Sequence, residues 1–194
     1  MRIAVLKASL LFAALSVGVV LAAENQPAVP PGDPPPLGTS SFVPPASIDE
    51  QPLTAASFVT RAGITNLMEI EAGGLAQTKA SNPSVKAFAA QLIADHRAAQ
   101  TQLKGPAAQS KLALPGEIDV QHQQIRHELA GLEGAAFDAK FIEVMTKSHE
   151  DAVRMFEDAA KNPKLTPELQ SYARAMLPKL QSHAQMAHKL AASH

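Results

Sequence analysis

The chain has 194 residues, with 17 Lys and Arg against 18 Asp and Glu, one Tyr, seven Phe, no Trp and no Cys. Without cysteine, neither a disulfide framework nor a lipid-modified Cys is available, so stability must come from packing. Without a basic cluster or a set of stacking aromatics, nucleic-acid binding is not expected.

The first residues follow a secretory pattern. Arg2 and Lys7 supply positive charge, Ala8 to Leu21 runs for 14 residues without a charge, and the small residues Ala22 and Ala23 follow. That run is shorter than the roughly 20 residues a membrane-spanning helix requires. Residues 1–23 are therefore read as a cleaved signal peptide, with a periplasmic destination and no transmembrane segment in the mature chain. Cleavage removes Arg2 and Lys7 and leaves a mildly acidic protein. Residues 24–53 are read as a linker, because Pro27 to Pro52 holds nine of the fifteen prolines. Proline fixes φ and lacks an amide donor, so this stretch is an extended spacer rather than a domain.

Helix signals dominate residues 54–194. Thr54 caps a first helix running to about Lys79, with Phe58, Ala62, Leu67 and Leu75 at three- and four-residue spacings. Ser81-Asn82-Pro83 ends it and starts a second, which carries Val85, Phe88, Leu92 and Leu103 and fades near Gly105-Pro106. So short a link makes these two an antiparallel hairpin. After Leu114-Pro115-Gly116 comes a shorter helix, about Glu117 to Ala130. A third long helix covers about Ala135 to Lys161, and Asn162-Pro163 stops it. Thr166-Pro167 then starts a last helix to about Ala191, with a stripe of Leu169, Ala173, Met176, Leu180, Ala187 and Leu190. No segment alternates with period two, so the fold class is all-α. Two amphipathic hairpins bury their stripes against each other in a four-helix bundle with one long connection, the ferritin-like topology, with the short helix in the crossover.

Each long stripe is interrupted by an ionisable side chain: Glu71, His96, His149 and His183. Such groups are costly in a core unless they bond to one another or to a ligand. Counted from Asn82, Glu71 lies 11 residues back and His96 14 forward, a height difference of about 4–5 Å in an antiparallel pair. Counted from Lys164, His149 lies 15 back and His183 19 forward, a mismatch of about 6 Å. One layer of three imidazoles and a carboxylate is therefore feasible. Glu69 points elsewhere on the first helix, toward Ala62, Thr65 and Ala76, whose small size leaves room for it near a helix interface. Asp95 and Asp138 each suit the outer role of accepting a histidine's second ring proton; for Asp138 a solvated surface charge or a helix-dipole effect is the preferred reading.

Two functions follow. Three His with one or two Glu suit zinc, copper or iron, which gives a metal set of Glu69, Glu71, His96, His149 and His183 with Asp95 behind it. Alternatively, the same groups form a hydrogen-bond network that fixes register without any ion, in a structural or interaction module. The five methionines beyond the signal region read as core fillers. His122, His127, His188 and His194 read as solvated. Pro178 frees the carbonyl of Arg174 and tends to bend the last helix one turn before His183. With no Cys, no G-x-S-x-G turn and no glycine-rich phosphate loop, nucleophilic catalysis has little support and the reading leans away from an enzyme.

These residues also resemble a family of exported bacterial ferritin-like proteins, domain of unknown function 4142. The resemblance rests on Phe58-Val59, Met68-Glu69-Ile70-Glu71-Ala72-Gly73, Asn82-Pro83-x-Val85-Lys86-x-Phe88-Ala89, Asp95-His96, Leu114-Pro115, Phe137-Asp138, Met145 with His149, and Leu177-Pro178 with His183. It covers nearly all of residues 54–191. It implies a ferritin-like bundle in the periplasm or at the outer membrane with no settled activity, and recurrent polar positions at Glu69, Glu71, Asp95, His96, His149 and His183. Di-iron members of the wider group carry Glu-x-x-His on two helices, whereas the residues three before His96, His149 and His183 are Ile93, Thr146 and Leu180. Oxygen-activating di-iron chemistry and iron storage are thus not expected. The leading expectation is an exported bundle that binds a metal ion or small ligand, with envelope stress as the setting and an envelope protein or a second copy of the chain as further partner.

Overall fold

The computed structural model describes residues 52–193, so the expected signal peptide and all but the end of the expected linker lie outside the described residues. The described chain forms α1 (Ala55–Lys79), α2 (Pro83–Gln109), α3 (Val120–Ala130), α4 (Gly134–Lys161) and α5 (Pro167–Ala192), with no strand among the described residues. The expected all-α bundle of two hairpins and a crossover helix is what the chain adopts. α1 pairs with α2 and α4 with α5; α2 also packs on α5 and α1 on α4, so α1 and α5 sit diagonally. α3 leans on α1 and α4.

The helix starts follow local chemistry. Thr54 accepts from the Ser57 amide while the Ser57 hydroxyl takes the Thr54 amide, a reciprocal cap. Asn82 and Thr166 cap α2 and α5, each followed by Pro at the first helical position. Two boundaries differ from the sequence reading. α2 does not stop at Gly105-Pro106 but runs through Pro106 to Gln109. Gly105 has no Cβ for the proline ring to strike, and Leu103 and Ala107 on either side are buried, so core packing carries the helix past the missing amide. The helix closes instead with Lys111 at φ 56°, while the amides of Lys111 and Leu112 reach back to Ala108 and Ala107. α3 begins at Val120 rather than Glu117, because Asp119 is its cap and accepts from the His122 amide.

Asp138 departs further from expectation. It is buried, and its carboxylate accepts the amides of Ser81 and Asn82 and the Ser81 hydroxyl. It is neither a solvated charge nor a histidine's partner. It anchors the α1–α2 turn to α4 by satisfying amides at the start of α2, which have no intrahelical acceptor.

The apolar interior falls into two clusters. One gathers Phe58, Leu103, Phe156, Leu169 and Tyr172 at the end where α1 and α5 begin. The other gathers Met68, Phe88, Leu92, Phe137, Phe141 and Met145 toward the α1–α2 turn. His96, His149 and His183 lie in sequence between the two sets on α2, α4 and α5, Asn66 and Glu69 follow Ala62 on α1 among Ile64, Met68 and Ala72 of the second set, and all five are buried. A polar layer therefore divides the core.

Candidate metal centre

On α1 the innermost seam is Val59, Ala62, Asn66, Glu69, Gly73 and Ala76, all buried at alternating three- and four-residue steps. Its small members let α1 approach its neighbour closely. A Cβ on Gly73 would stand 2.7 Å from Ile93 Cγ1 and 3.2 Å from the Ala89 carbonyl oxygen. This seam carries Glu69 into the layer with no exposed surface.

Glu71 is not there. Two positions further along, it is rotated about 200° around the helix and pairs with Arg126 of α3 at 3.2 Å, both side chains substantially exposed. The expectation that Glu71 faces the core is therefore corrected. Leu67 and Leu75, which suggested it, are only half-buried and lie on the flank of the seam.

The three histidines do converge: a nitrogen from each of His96, His149 and His183 lies within 4.8 Å of the others. Glu69 Oε2 stands 2.8 Å from His96 Nε2 and 3.1 Å from His149 Nε2, and His149 Nε2 is 3.2 Å from His183 Nδ1. Outside this inner set every ring has a fixed partner. His149 Nδ1 meets the Met145 carbonyl at 2.9 Å, His96 Nδ1 meets Asn66 Oδ1 at 2.9 Å, and His183 Nε2 meets Asp95 Oδ2 at 2.8 Å. The Asn66 orientation is set by its own Nδ2, which donates to Gln100. Each outer partner is an acceptor, so in a neutral imidazole the ring hydrogen goes outward and the inward nitrogen keeps its lone pair. Ser148 donates to Glu69 Oε1 at 2.8 Å, which leaves Oε2 facing the rings.

Four acceptor atoms thus point into one buried space. The contact between Glu69 Oε2 and His96 Nε2 is short but lacks hydrogen-bond alignment, and neither atom has a hydrogen-bond partner. His149 Nε2 and His183 Nδ1 are within hydrogen-bond reach of each other, and the 2.8–3.2 Å separations in the set are close to the edges of a coordination shell: a tetrahedron with arms of about 2.0–2.1 Å has edges of about 3.3–3.4 Å. The donor set of three imidazoles and one carboxylate fits a zinc- or copper-type ion.

The charges respond to this crowding. Burial alone would raise the Glu69 carboxyl, but the adjacent His149 and His96 rings outweigh it and hold it well below the ordinary range. Burial opposes charge on His149 too, yet Glu69 overrides it and raises the ring. His183 is pushed down to about 4, chiefly by burial, despite its bond to Asp95. A histidine with a lowered pKa binds its proton later than the unfolded chain does, so its effect is a loss of stability as pH falls from 6.5 to about 4. His149 acts on the other side: its contribution is complete below 6.5 and is lost as pH rises. The metal-free protein should be most thermostable near pH 6.5, with an acid limb that His183→Gln flattens. Melting curves from pH 4 to 8 test this, and identical acid limbs in the two proteins would count against it.

Fold and site together define a helical-bundle domain with a buried His/Glu centre. Residues 43–190 match the family described as Domain of unknown function (DUF4142), and the chain belongs to that family. None of the curated proteins matches the chain. Among solved structures, CopM in its Cu(II)-bound form is similar at 21% identity and TM-score 0.62, covering 74% of this chain and 99% of CopM. A DUF305 fragment from Deinococcus radiodurans is similar at 14% identity and TM-score 0.62, covering 72% of this chain and 96% of the fragment. A putative secreted DUF305 protein from Streptomyces coelicolor follows at 14% identity and TM-score 0.60, covering 72% and 92%. At these identities the likeness speaks for the helical bundle alone. No helix among the described residues is long and apolar enough to cross a membrane.

Proposed function

We propose that this chain is an exported metal-binding protein that holds one transition-metal ion at Glu69 Oε2, His96 Nε2, His149 Nε2 and His183 Nδ1. The observation that carries the reading is the convergence of these four acceptor atoms, two of them without hydrogen-bond partners. A cation is what such a set lacks. The adjoining cavity, about 10 Å³, has room for roughly one water, so the occupant is an ion rather than an organic molecule. Copper is the foremost candidate, since it binds nitrogen–oxygen sites most tightly among first-row divalent metals. The similar bundle CopM has been solved with Cu(II), Cu(I) and Ag bound, which agrees with that choice. The four protein groups would by themselves complete a four-coordinate shell and leave no position for a substrate, which favours holding or buffering the ion over catalysis. Export by the signal-like N terminus would place this capacity in the envelope, where it fits a role in metal stress.

Elemental analysis after incubation with Cu²⁺ or Zn²⁺ and gel filtration should give one ion per chain, and the double variant His149→Ala/His183→Ala should give none. Retention of the ion by that double variant would remove the proposed site. Asp95→Asn should keep the stoichiometry but weaken affinity by about 10–100-fold, the usual effect of an outer carboxylate on a histidine ligand. Titration against a chelator of known affinity reads this directly. The second reading, a network that serves folding alone, draws on His149: a proton on its Nε2 would supply the positive charge that Glu69 seeks. It predicts no saturable metal uptake.

A further inference from the structure

Glu69, His149 and His183 expose essentially nothing and His96 only 3%, so an ion needs a path through the bundle wall. Phe88 closes one side, its ring centroid 6.4 Å from that of His149 and 6.3 Å from that of His183. The cavity that reaches the histidines lies on the α2–α5 seam, where Asp95, His96, Met176, Lys179 and His183 are among its lining. His183 is set in this wall with a nitrogen on each side: Nδ1 faces the centre and Nε2 meets Asp95. Asp95 in turn is partly exposed, and its other oxygen holds the Lys179 ammonium at 2.5 Å. Pro178, next to Lys179, removes one backbone donor from α5 at this place, so the segment is held by one hydrogen bond fewer than a regular helix.

Resting on the metal reading above, we infer that the ion enters along the α2–α5 seam, that Asp95 is the carboxylate on which it first lands, and that Lys179 is the positive charge it must displace. A lysine ammonium and a metal cation compete for the same carboxylate oxygen, and until the lysine leaves, its charge also repels the ion. The pair sits at the surface, where such contacts are weak and open readily. Lys179 therefore sets the rate of exchange rather than the affinity of the interior site. Moving Lys179 aside frees Asp95 Oδ1, and a small displacement of the His183 ring then connects that outer site with the inner nitrogens.

Lys179→Met keeps an aliphatic stem over the seam and removes the charge. The chain has one Tyr and no Trp, and Tyr172 lines the same cavity as His96 and His183. Quenching of Tyr172 emission by Cu²⁺ in a stopped-flow instrument therefore follows entry without a label. Uptake by Lys179→Met, and release to a chelator, should both be about three- to tenfold faster than in the wild type, the effect of losing one weak surface pair and its repulsion, with one ion bound at the end. Lys147→Met is the control, since Lys147 pairs with Asp151 on the exposed face of α4 and should leave both rates unchanged. Equal rates in wild type and Lys179→Met would overturn the entry path while leaving the metal site standing, as would equal acceleration by Lys147→Met. Absence of bound copper in the wild type would overturn both.

Discussion

Replacing Glu69 by alanine should abolish metal retention and destabilise the metal-free protein by about 3–5 kcal/mol, the scale for removing one member of a buried charged pair. The carboxylate has no exposed surface and three polar contacts: His96, His149 and the Ser148 hydroxyl. Its loss leaves two rings and a hydroxyl facing an empty buried space, with no counter-charge for a protonated His149. Glu71→Ala, two residues away, should cost about 0–1 kcal/mol, because its partner Arg126 is a solvated neighbour across a surface gap. Urea unfolding followed by circular dichroism, run beside metal analysis, compares the two variants. Near-equal costs, or metal lost with Glu71→Ala and kept with Glu69→Ala, would reverse the assignment of the carboxylate ligand.

That contrast also marks where the sequence is readable. His96, His149 and His183 announce themselves because each is flanked on its own face by large apolar residues: Leu92 and Leu103, Met145 and Val153, Met176 and Leu180. On α1 two of the large apolar residues mislead: Phe58, Ile64 and Met68 are buried, but Leu67 and Leu75 are only half-buried. The helix approaches its neighbours most closely along Ala62, Gly73 and Ala76, where large side chains do not fit, and its leucines Leu67 and Leu75 are displaced to the flank. A stripe drawn through large residues therefore selects Glu71. Counting along the hairpin contained the opposite signal: Glu69 is 13 residues before Asn82 and His96 14 after it, a mismatch of about 1.5 Å against about 4–5 Å for Glu71.

Asp138 was not readable in this way at all. Its partners are backbone amides in a turn more than fifty residues earlier, and no periodicity in α4 reports on a turn between two other helices. The outer acceptors divide similarly. Asp95 was legible as a carboxylate beside a histidine, although the ring it serves is His183 on α5 rather than its neighbour His96. Asn66 and the Met145 carbonyl, which direct the hydrogens of His96 and His149 outward, carry no sequence mark of that role. The long helices and their pairing were visible because capping residues and prolines act locally. The orientation of single polar groups depends on contacts between helices.

The observation that separates a metal centre from a folding network is the change in stability on adding the ion. A ligand at one hundred times its dissociation constant stabilises the folded state by about 2.7 kcal/mol, which raises the melting temperature of a domain of this size by roughly 8–10 °C. The wild type should show this shift with Cu²⁺ and return to its starting value when a chelator is added. His149→Ala lowers the baseline, since it leaves the Glu69 carboxylate without its raised partner, so the quantity to compare is the difference with and without ion within each variant. That difference should vanish in His149→Ala and persist in His188→Ala, whose exposed ring meets Glu150 on the surface. A shift that survives His149→Ala would mean that the ion binds elsewhere. A wild type that melts at one temperature with or without metal would leave the polar layer as a network that holds the four helices in register.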